Sequence, residues 1–572
     1  MIIGRVSRVD GTKVVGVFYE KLPPHIFDRH DIVPAPQINS FVKTNVGLDT
    51  IICQIVGEHE FEYDKADQII SEKREEFLVD LEVRGRMYKE KFLGGLRCLP
   101  IVGAKIETLT KTDYDSLFNV KGGIKIGRNL FDSSNQIYLD INKLMPSHIG
   151  IFGNTGSGKS NTLAKLLKEY MEIMPESCDN AKLIVFDLNN EYGGSAIVKN
   201  EQKQVYTLST RKHGGNDKIP LNFSDLSVDN WGTLLKATQK TQMPVVRRAY
   251  KRWKDSDTDY VEQIKWILVN KRYQMFYALR EYGGEFFDGL DELIFHKTQN
   301  AFYYYSGGDR TFIDGIDQCP EIKQKEKLTL LQRFLVGIIF EISRSSESGM
   351  NFEYIQPLIP RAKDIIKDLE KIFEDCSGSS ILNIFANKPL TVIQLGDVNS
   401  GTRELVPALI SELLFQNAVS NKKDKTESIL SIVVDEAHNL LAYDDEKSDI
   451  VHNNTLRVFE KIIKEGRKFG VFLYLASQRP SDISSTITSQ IHNYFIHKLV
   501  NPNDIDKIRK TVAFMGDASL SMLSSLGQGE CIVSGPSLYM PQYVYVDELE
   551  SVHKPCSNDL ILFGENGILR DK

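Results

Sequence analysis

The sequence predicts an α/β protein: a parallel-rich sheet covered by helices, preceded by a small β-barrel and interrupted by a helical insertion. Three observations predict it. Short strand patterns crowd the chain up to about residue 145, strands alternate with helical stretches from Ile149, and helical periodicity dominates between Asn222 and about Lys388.

In the N-terminal region, IIGRVSRV and KVVGVFYE run apolar or alternating on either side of Asp10-Gly11, a dipeptide favoured in tight hairpins. SFVKTNV, TIICQIVG, EFLVDLEVRGRMY, AKIETLT and GIKIGR continue as short strands between Gly, Pro and Asn breaks, which predicts a small barrel. IGIF, AKLIVFDL, PLTVIQL, SILSIVV and VFLYLAS are short, apolar and rich in β-branched residues, the texture of strands covered on both faces. WGTLLKATQ, YVEQIKWILVNKRYQMFYALREY, LTLLQRFLVGIIFEIS and AKDIIKDLEKIF carry the helical insertion. The expected divisions are a barrel over 1–120, a first core segment over 121–221, the insertion over 222–388, a second core segment over 389–548 and a C-terminal tail over 549–572.

Composition narrows what such a chain can be for. With 572 residues, 41% of them hydrophobic, it can bury more than one core. Its seven cysteines are scattered with no C-x-x-C pair, which argues against a disulfide framework or a zinc site and fits a reducing cytoplasm. No apolar run reaches the roughly 18–20 residues of a membrane span, and MIIGRVSRVDG lacks the basic-then-apolar order of a signal peptide. The expectation is a cytoplasmic protein with no membrane partner. A formal charge of −7 is not that of a nucleic-acid coat protein, so any contact with DNA must be local.

The chemistry concentrates at a few strand ends. Gly153-Asn154-Thr155-Gly156-Ser157-Gly158-Lys159-Ser160 fits G-x-x-x-x-G-K-[ST] and lies between the strand IGIF and a helix opening at Asn161. Backbone N–H groups in such a turn wrap anionic phosphates, Lys159 reaches the β/γ oxygens and the Ser160 hydroxyl ligates magnesium. The loop therefore predicts ATP and Mg2+ as cofactors and a RecA-like P-loop ATPase core. A second strand, ILSIVV, ends in Asp435-Glu436-Ala437-His438. Asp435 is suited to hold the magnesium shell and Glu436 to polarise an attacking water, with His438 a local hydrogen-bonding residue. VFLYLAS ends in Gln478, which either points at the γ-phosphate and reports hydrolysis or is a simple polar strand end. Just before it, Lys464-Glu465-Gly466-Arg467-Lys468-Phe469-Gly470 ends a helix with two fixed cations. Arg467 either reaches a neighbouring subunit's γ-phosphate or interacts with the dipole of its own helix.

Taken in order, GNTGSGKSNT, IVFDLNNEYGG, VVDEAHNL, EGRKFG and ASQRPSDIS resemble the HerA-type ATPases of the FtsK/HerA group, over most of the chain including the β-rich start. The resemblance implies a homohexameric ring with ATP at subunit interfaces and double-stranded DNA in the central channel. It also implies that Lys159, Ser160, Asp435, Glu436 and Gln478 form the site in one subunit, and that Arg467 is the finger from a neighbour. Asp187 and Glu191 match an acidic strand end near the nucleotide, with a structural part for Asp187 as the alternative. One departure is Ser147-His148, where relatives often place an arginine beside the histidine. If that arginine serves ATP in relatives, another cation must replace it here. Relatives are often paired with a nuclease, and some bacterial ones with a sirtuin-like or nuclease effector against phage.

Within the insertion, Arg247 with Lys251 and Arg248 with Arg252 stand at i,i+4 spacing in VVRRAYKRWK. Such a strip either follows phosphates in a channel or is a solvated face or subunit contact. With no sequence-reading motif present, DNA binding is expected to be independent of sequence. The leading expectation is a ring translocase or helicase acting on duplex DNA with a separate effector. The alternative is an assembly ATPase that scaffolds and regulates the effector, and a conjugation or secretion ATPase is a weaker third reading.

Overall fold

The N-terminal strands close on themselves. The computed structural model describes residues 1–28, 31–61, 76–89, 91–95, 97–118, 122–174, 181–211, 217–254, 259–325, 328–345, 352–421, 428–443, 450–512 and 517–556. Ile2–Asp10, Lys105–Thr108, Phe41–Val46, Asp49–Phe61, Glu76–Tyr88 and Lys13–Phe18 form an antiparallel ring in that spatial order, with Lys91–Gly94 continuing from Glu76–Tyr88. Closure leaves no free edge among the six. Ile3, Val6, Val14, Val42, Ile51, Ile55, Leu81 and Ile106 fill the interior. The first hairpin turns on Gly11-Thr12, and Gly11 has φ 61°, the positive value that a two-residue hairpin loop demands at its first position.

The described residues fall into two compact units. The first holds the barrel and a mixed sheet in the order Gln136–Leu139, Ile124–Asn129, Gln542–Val546, Glu530–Ser534, Asn493–Ile496, Ile149–Phe152, Val471–Ser477. Ile149–Phe152 is buried at every residue because parallel strands flank it on both sides. Beyond Asn493–Ile496 the pairing turns antiparallel.

The second unit holds four parallel strands in the order Ile429–Val434, Ala181–Asp187, Leu390–Asp397, Lys203–Ser209, together with the insertion. Ile219–Leu221 pairs with Phe373–Asp375, tying the two ends of the insertion side by side. Its core helix, Leu330–Ser345, is apolar around most of its circumference and therefore buried, with Phe334 stacked on Trp231 at 4.0 Å between ring centres. The insertion is not purely helical, as the sequence suggested. Ile294–His296, Ala301–Ser306 and Asp309–Ile313 form an antiparallel meander, turned by Gly307-Gly308 with φ 61° and 95°. That Gly-Gly pair between aromatic runs is the hairpin signal which the surrounding helical periodicity obscured.

The six described cysteines are unpaired as disulfides, while Cys178 and residues 557–572 of the expected tail lie outside the described residues. Among the described residues no helix is long and apolar enough to cross a membrane.

Candidate functional site: a phosphate loop and an acidic strand end

In the first unit the strand Ile149–Phe152 delivers the chain into the glycine-rich loop, and the helix Lys159–Ile173 takes it away. The glycines are required individually. Gly156 and Gly158 have φ 73° and 106°, left-handed values that L residues rarely adopt, and a Cβ on Gly153 would stand 2.5 Å from the His497 Cβ. Asn154 N–H donates to the Lys498 carbonyl at 2.9 Å, and the Gly529 N–H donates to the Ser157 carbonyl at 3.0 Å, so the loop is held from two sides. Lys159 is buried, its ammonium donating to the Asn154 carbonyl at 3.1 Å within the loop. The Thr155 hydroxyl donates to Gln478 Oε1 at 2.5 Å, so the polar end of Val471–Ser477 does reach the loop.

Three residues of this neighbourhood play parts that sequence alone did not assign. Asn161, expected at the nucleotide, directs its amide to the Asp547 carbonyl and the Leu549 N–H, both at 3.4 Å. Ser147 and His148 stand at the entry end of Ile149–Phe152, opposite to the loop. Ser147 donates to the Leu144 carbonyl at 2.6 Å, and His148 Nδ1 accepts from the Leu473 N–H at 3.0 Å. The missing arginine therefore concerns the start of the strand and not its phosphate-binding end.

Below the loop lies His497, fully buried and absent from the sequence reading. Its Nδ1 is 2.9 Å from the Glu530 carbonyl and its Nε2 2.9 Å from the Thr162 hydroxyl. Burial first, and then the Lys159 charge, pull its pKa down from 6.5 to about 4, so the ring is neutral near pH 7. The visible signals were a histidine directly after the strand NYFI and the glycines of GQGE.

In the second unit Asp435 follows the strand Ile429–Val434 and is buried, its N–H donating to the Phe186 carbonyl at 3.3 Å. Burial first, then the charges of Glu191, Glu436 and Asp187, push its pKa up to about 8. Glu436 is buried with φ 48°, a left-handed backbone that costs a non-glycine residue of order 1 kcal/mol. His438 Nδ1 stands 3.5 Å from Glu436 Oε2. Asp187 accepts the N–H groups of Glu191 and Tyr192 at 2.9 and 2.8 Å, so its two oxygens hold a turn and its geometry matches the structural alternative.

Each of the two groups of residues, taken by itself, has chemistry suited to part of a nucleotide. A loop of left-handed glycines around a buried ammonium is built for phosphate, and an acidic cluster that resists full ionisation has need of a cation. Among the described residues no three His, Cys, Asp or Glu side chains group closely enough to hold a metal by themselves.

Arg467 lies in the 3-10 turn Gly466–Phe469 after the helix Ile450–Glu465, exposed and without an ion pair among the described residues. The turn needs its glycines, since a Cβ on Gly470 would lie 2.0 Å from the Ser428 carbonyl oxygen. The basic strip on Met243–Lys254 is divided. Arg248 and Arg252 bind the buried Glu341 at 3.2 and 2.7 Å, Lys254 donates to the Ser224 carbonyl, and Trp253 is core, its indole donating to the Leu330 carbonyl. Arg247, Arg248 and Lys251 are exposed, but of these Arg248 is engaged by Glu341 while Arg247 and Lys251 have no ion pair among the described residues.

Comparison with known proteins identifies the family of the chain. The family model for the central domain of the helicase HerA matches residues 124–414, and that for the HerA-like helicase C-terminal domain matches residues 405–557. The chain is 25% identical over 461 residues to the DNA double-strand break repair helicase HerA of Sulfurisphaera tokodaii, covering 79% of this chain and 74% of that one. It is 24% identical over 535 residues to the probable helicase MJ1565 of Methanocaldococcus jannaschii, covering 90% and 87%. Among solved structures, VirB4 of Thermoanaerobacter pseudethanolicus superposes with a TM-score of 0.43 at 14% identity over 76% of this chain and 100% of that one. The chain therefore belongs to the HerA helicase family and is a P-loop ATPase.

Proposed function

We propose that this protein is the subunit of a cytoplasmic homohexameric ring that hydrolyses ATP, with Mg2+, to translocate on or unwind double-stranded DNA without sequence preference. It works with a separate nuclease or sirtuin-like effector, in DNA end processing or phage defence. The observation that supports this most is the strained, buried Asp435-Glu436 strand end in a HerA-family chain that also carries an intact phosphate loop. Strain of this kind is retained where a side chain must be aimed.

ATP bound with magnesium supplies a phosphoryl group whose hydrolysis can drive work. The chain's own residues divide the labour. The N–H groups from Gly153 to Asn161 and the Lys159 ammonium bind phosphate, and Ser160 and Asp435, each in its own unit, are the metal ligands. Glu436 orients water and takes its proton, Gln478 reports the γ-phosphate to the loop, Asp187 and Glu191 form the acidic strand end near the nucleotide, with a structural part for Asp187 as the alternative, and Arg467 serves a neighbouring subunit. Displacement of a third strand from a long duplex tests the motor directly: ATP-dependent displacement supports it, and none with an active ATPase points to the second reading.

That second reading, an assembly ATPase which scaffolds its effector, is favoured by one observation. Arg248 and Arg252, half of the basic strip, are committed to Glu341 and not to a phosphate track.

A further inference from the structure

His497 bridges two parts of the first unit that ATP must keep in register. A carbonyl only accepts, so the ring nitrogen facing Glu530 O carries the hydrogen. Nε2 then holds a lone pair, and the Thr162 hydroxyl donates to it. Thr162 is buried one turn into the helix that the phosphate loop opens. The contacts extend to the loop itself. The His497 N–H donates to the Phe152 carbonyl at 2.7 Å, and the His497 Cβ occupies the space a side chain at Gly153 would need. On the other side Gly529, with φ 79°, gives its N–H to Ser157 and takes the Val546 N–H on its carbonyl at 2.9 Å. The loop is thus clasped between residues 497–498 and Gly529, and one hydrogen-bonded chain runs from its helix through His497 to the strand Glu530–Ser534.

We infer that His497 is a positioning residue for ATP hydrolysis, holding the phosphate loop in its binding shape through Thr162. This rests on the reading that the loop holds ATP. The ring also faces the backbone of Ser157 in the loop, and it acts on where the loop and the first turn of the helix, and with them Lys159 and Ser160, can sit.

Two substitutions separate positioning from simple packing. In His497→Gln the amide sits where Nε2 was and still accepts from Thr162, whereas in His497→Asn it sits where Nδ1 was and still donates to Glu530. Steady-state ATP hydrolysis should show KM for ATP raised about tenfold in His497→Asn, the worth of one buried hydrogen bond, with His497→Gln within about threefold of wild type. Thr162→Val, which leaves the buried ring in place, should raise KM like His497→Asn and carries the test if that variant does not fold. Equal KM values in the Asn and Gln variants, or a wild-type KM in Thr162→Val, would overturn the inference. Lys159→Ala is the separate control. Undiminished ATP turnover in that variant would remove the phosphate-loop reading itself, whatever His497 does.

Discussion

The Nε2 atom of His497 lies 2.9 Å from the hydroxyl of Thr162, a residue 335 positions earlier, and the ring that joins them is neutral. Its pKa is about 4 in the folded chain against 6.5 ordinarily, so between these values the unfolded chain binds a proton that the folded chain refuses. The stability this contributes is present above pH 6.5 and is lost as pH falls towards 4. The full shift corresponds to about 3 kcal/mol as an upper figure. Urea unfolding of wild type and His497→Gln between pH 4 and 7 checks it: the wild type should lose more stability on acidification, and parallel curves would contradict the assignment.

Asp435 titrates in the opposite sense. Its carboxyl is raised from 3.8 to about 8, so across that window the folded chain keeps a proton that the unfolded chain has released, and stability falls as pH rises. Asp435→Asn cannot ionise. In EDTA at pH 8 it should be more stable than wild type by ~1 kcal/mol or more, while its ATP hydrolysis is lost. Thermal melts at pH 5 and pH 8 test this, and a variant less stable than wild type at pH 8 would count against the buried acidic cluster.

Glu436 combines strain and chemistry in one residue. Glu436→Gly frees the left-handed backbone and should stabilise the nucleotide-free protein by roughly 0.5–1 kcal/mol while abolishing turnover. Denaturant midpoints together with phosphate release read both effects. Retained turnover would remove Glu436 from the hydrolytic step.

Glu341 is the anchor of the basic helix. Glu341→Ala leaves Arg248 and Arg252 without their buried partner and should cost about 3 kcal/mol or more in denaturant unfolding, whereas Arg247→Ala with Lys251→Ala should change stability by less than ~0.5 kcal/mol. Equal losses would mean that the exposed pair is as structural as the buried one.

What was legible in the sequence was local. Short β-branched runs bounded by breakers predict Ile149–Phe152, Ala181–Asp187, Leu390–Asp397, Ile429–Val434 and Val471–Ser477, because strands buried on both faces have little other composition available. The phosphate loop was legible because its glycines answer to local backbone geometry. Long-range partners were not. The i,i+4 spacing of Arg248 and Arg252 serves a phosphate track and a single buried acid equally well, and Glu341, 89 positions beyond Arg252, is a partner that spacing alone does not reveal. His497 likewise acquires its part only when strand order brings Asn493–Ile496 beside Ile149–Phe152. Asp187 shows the same limit from the other side: a strand-end acid suited to a nucleotide is equally suited to capping the turn that follows it.

The most direct test of the motor is steady-state ATP hydrolysis by the purified protein with and without long linear duplex DNA, with Glu436→Gln as the blank. The account predicts severalfold stimulation that fades as salt is raised, because duplex contacts release counterions. Turnover indifferent to duplex DNA, in a preparation whose Glu436→Gln blank is inactive, would contradict it.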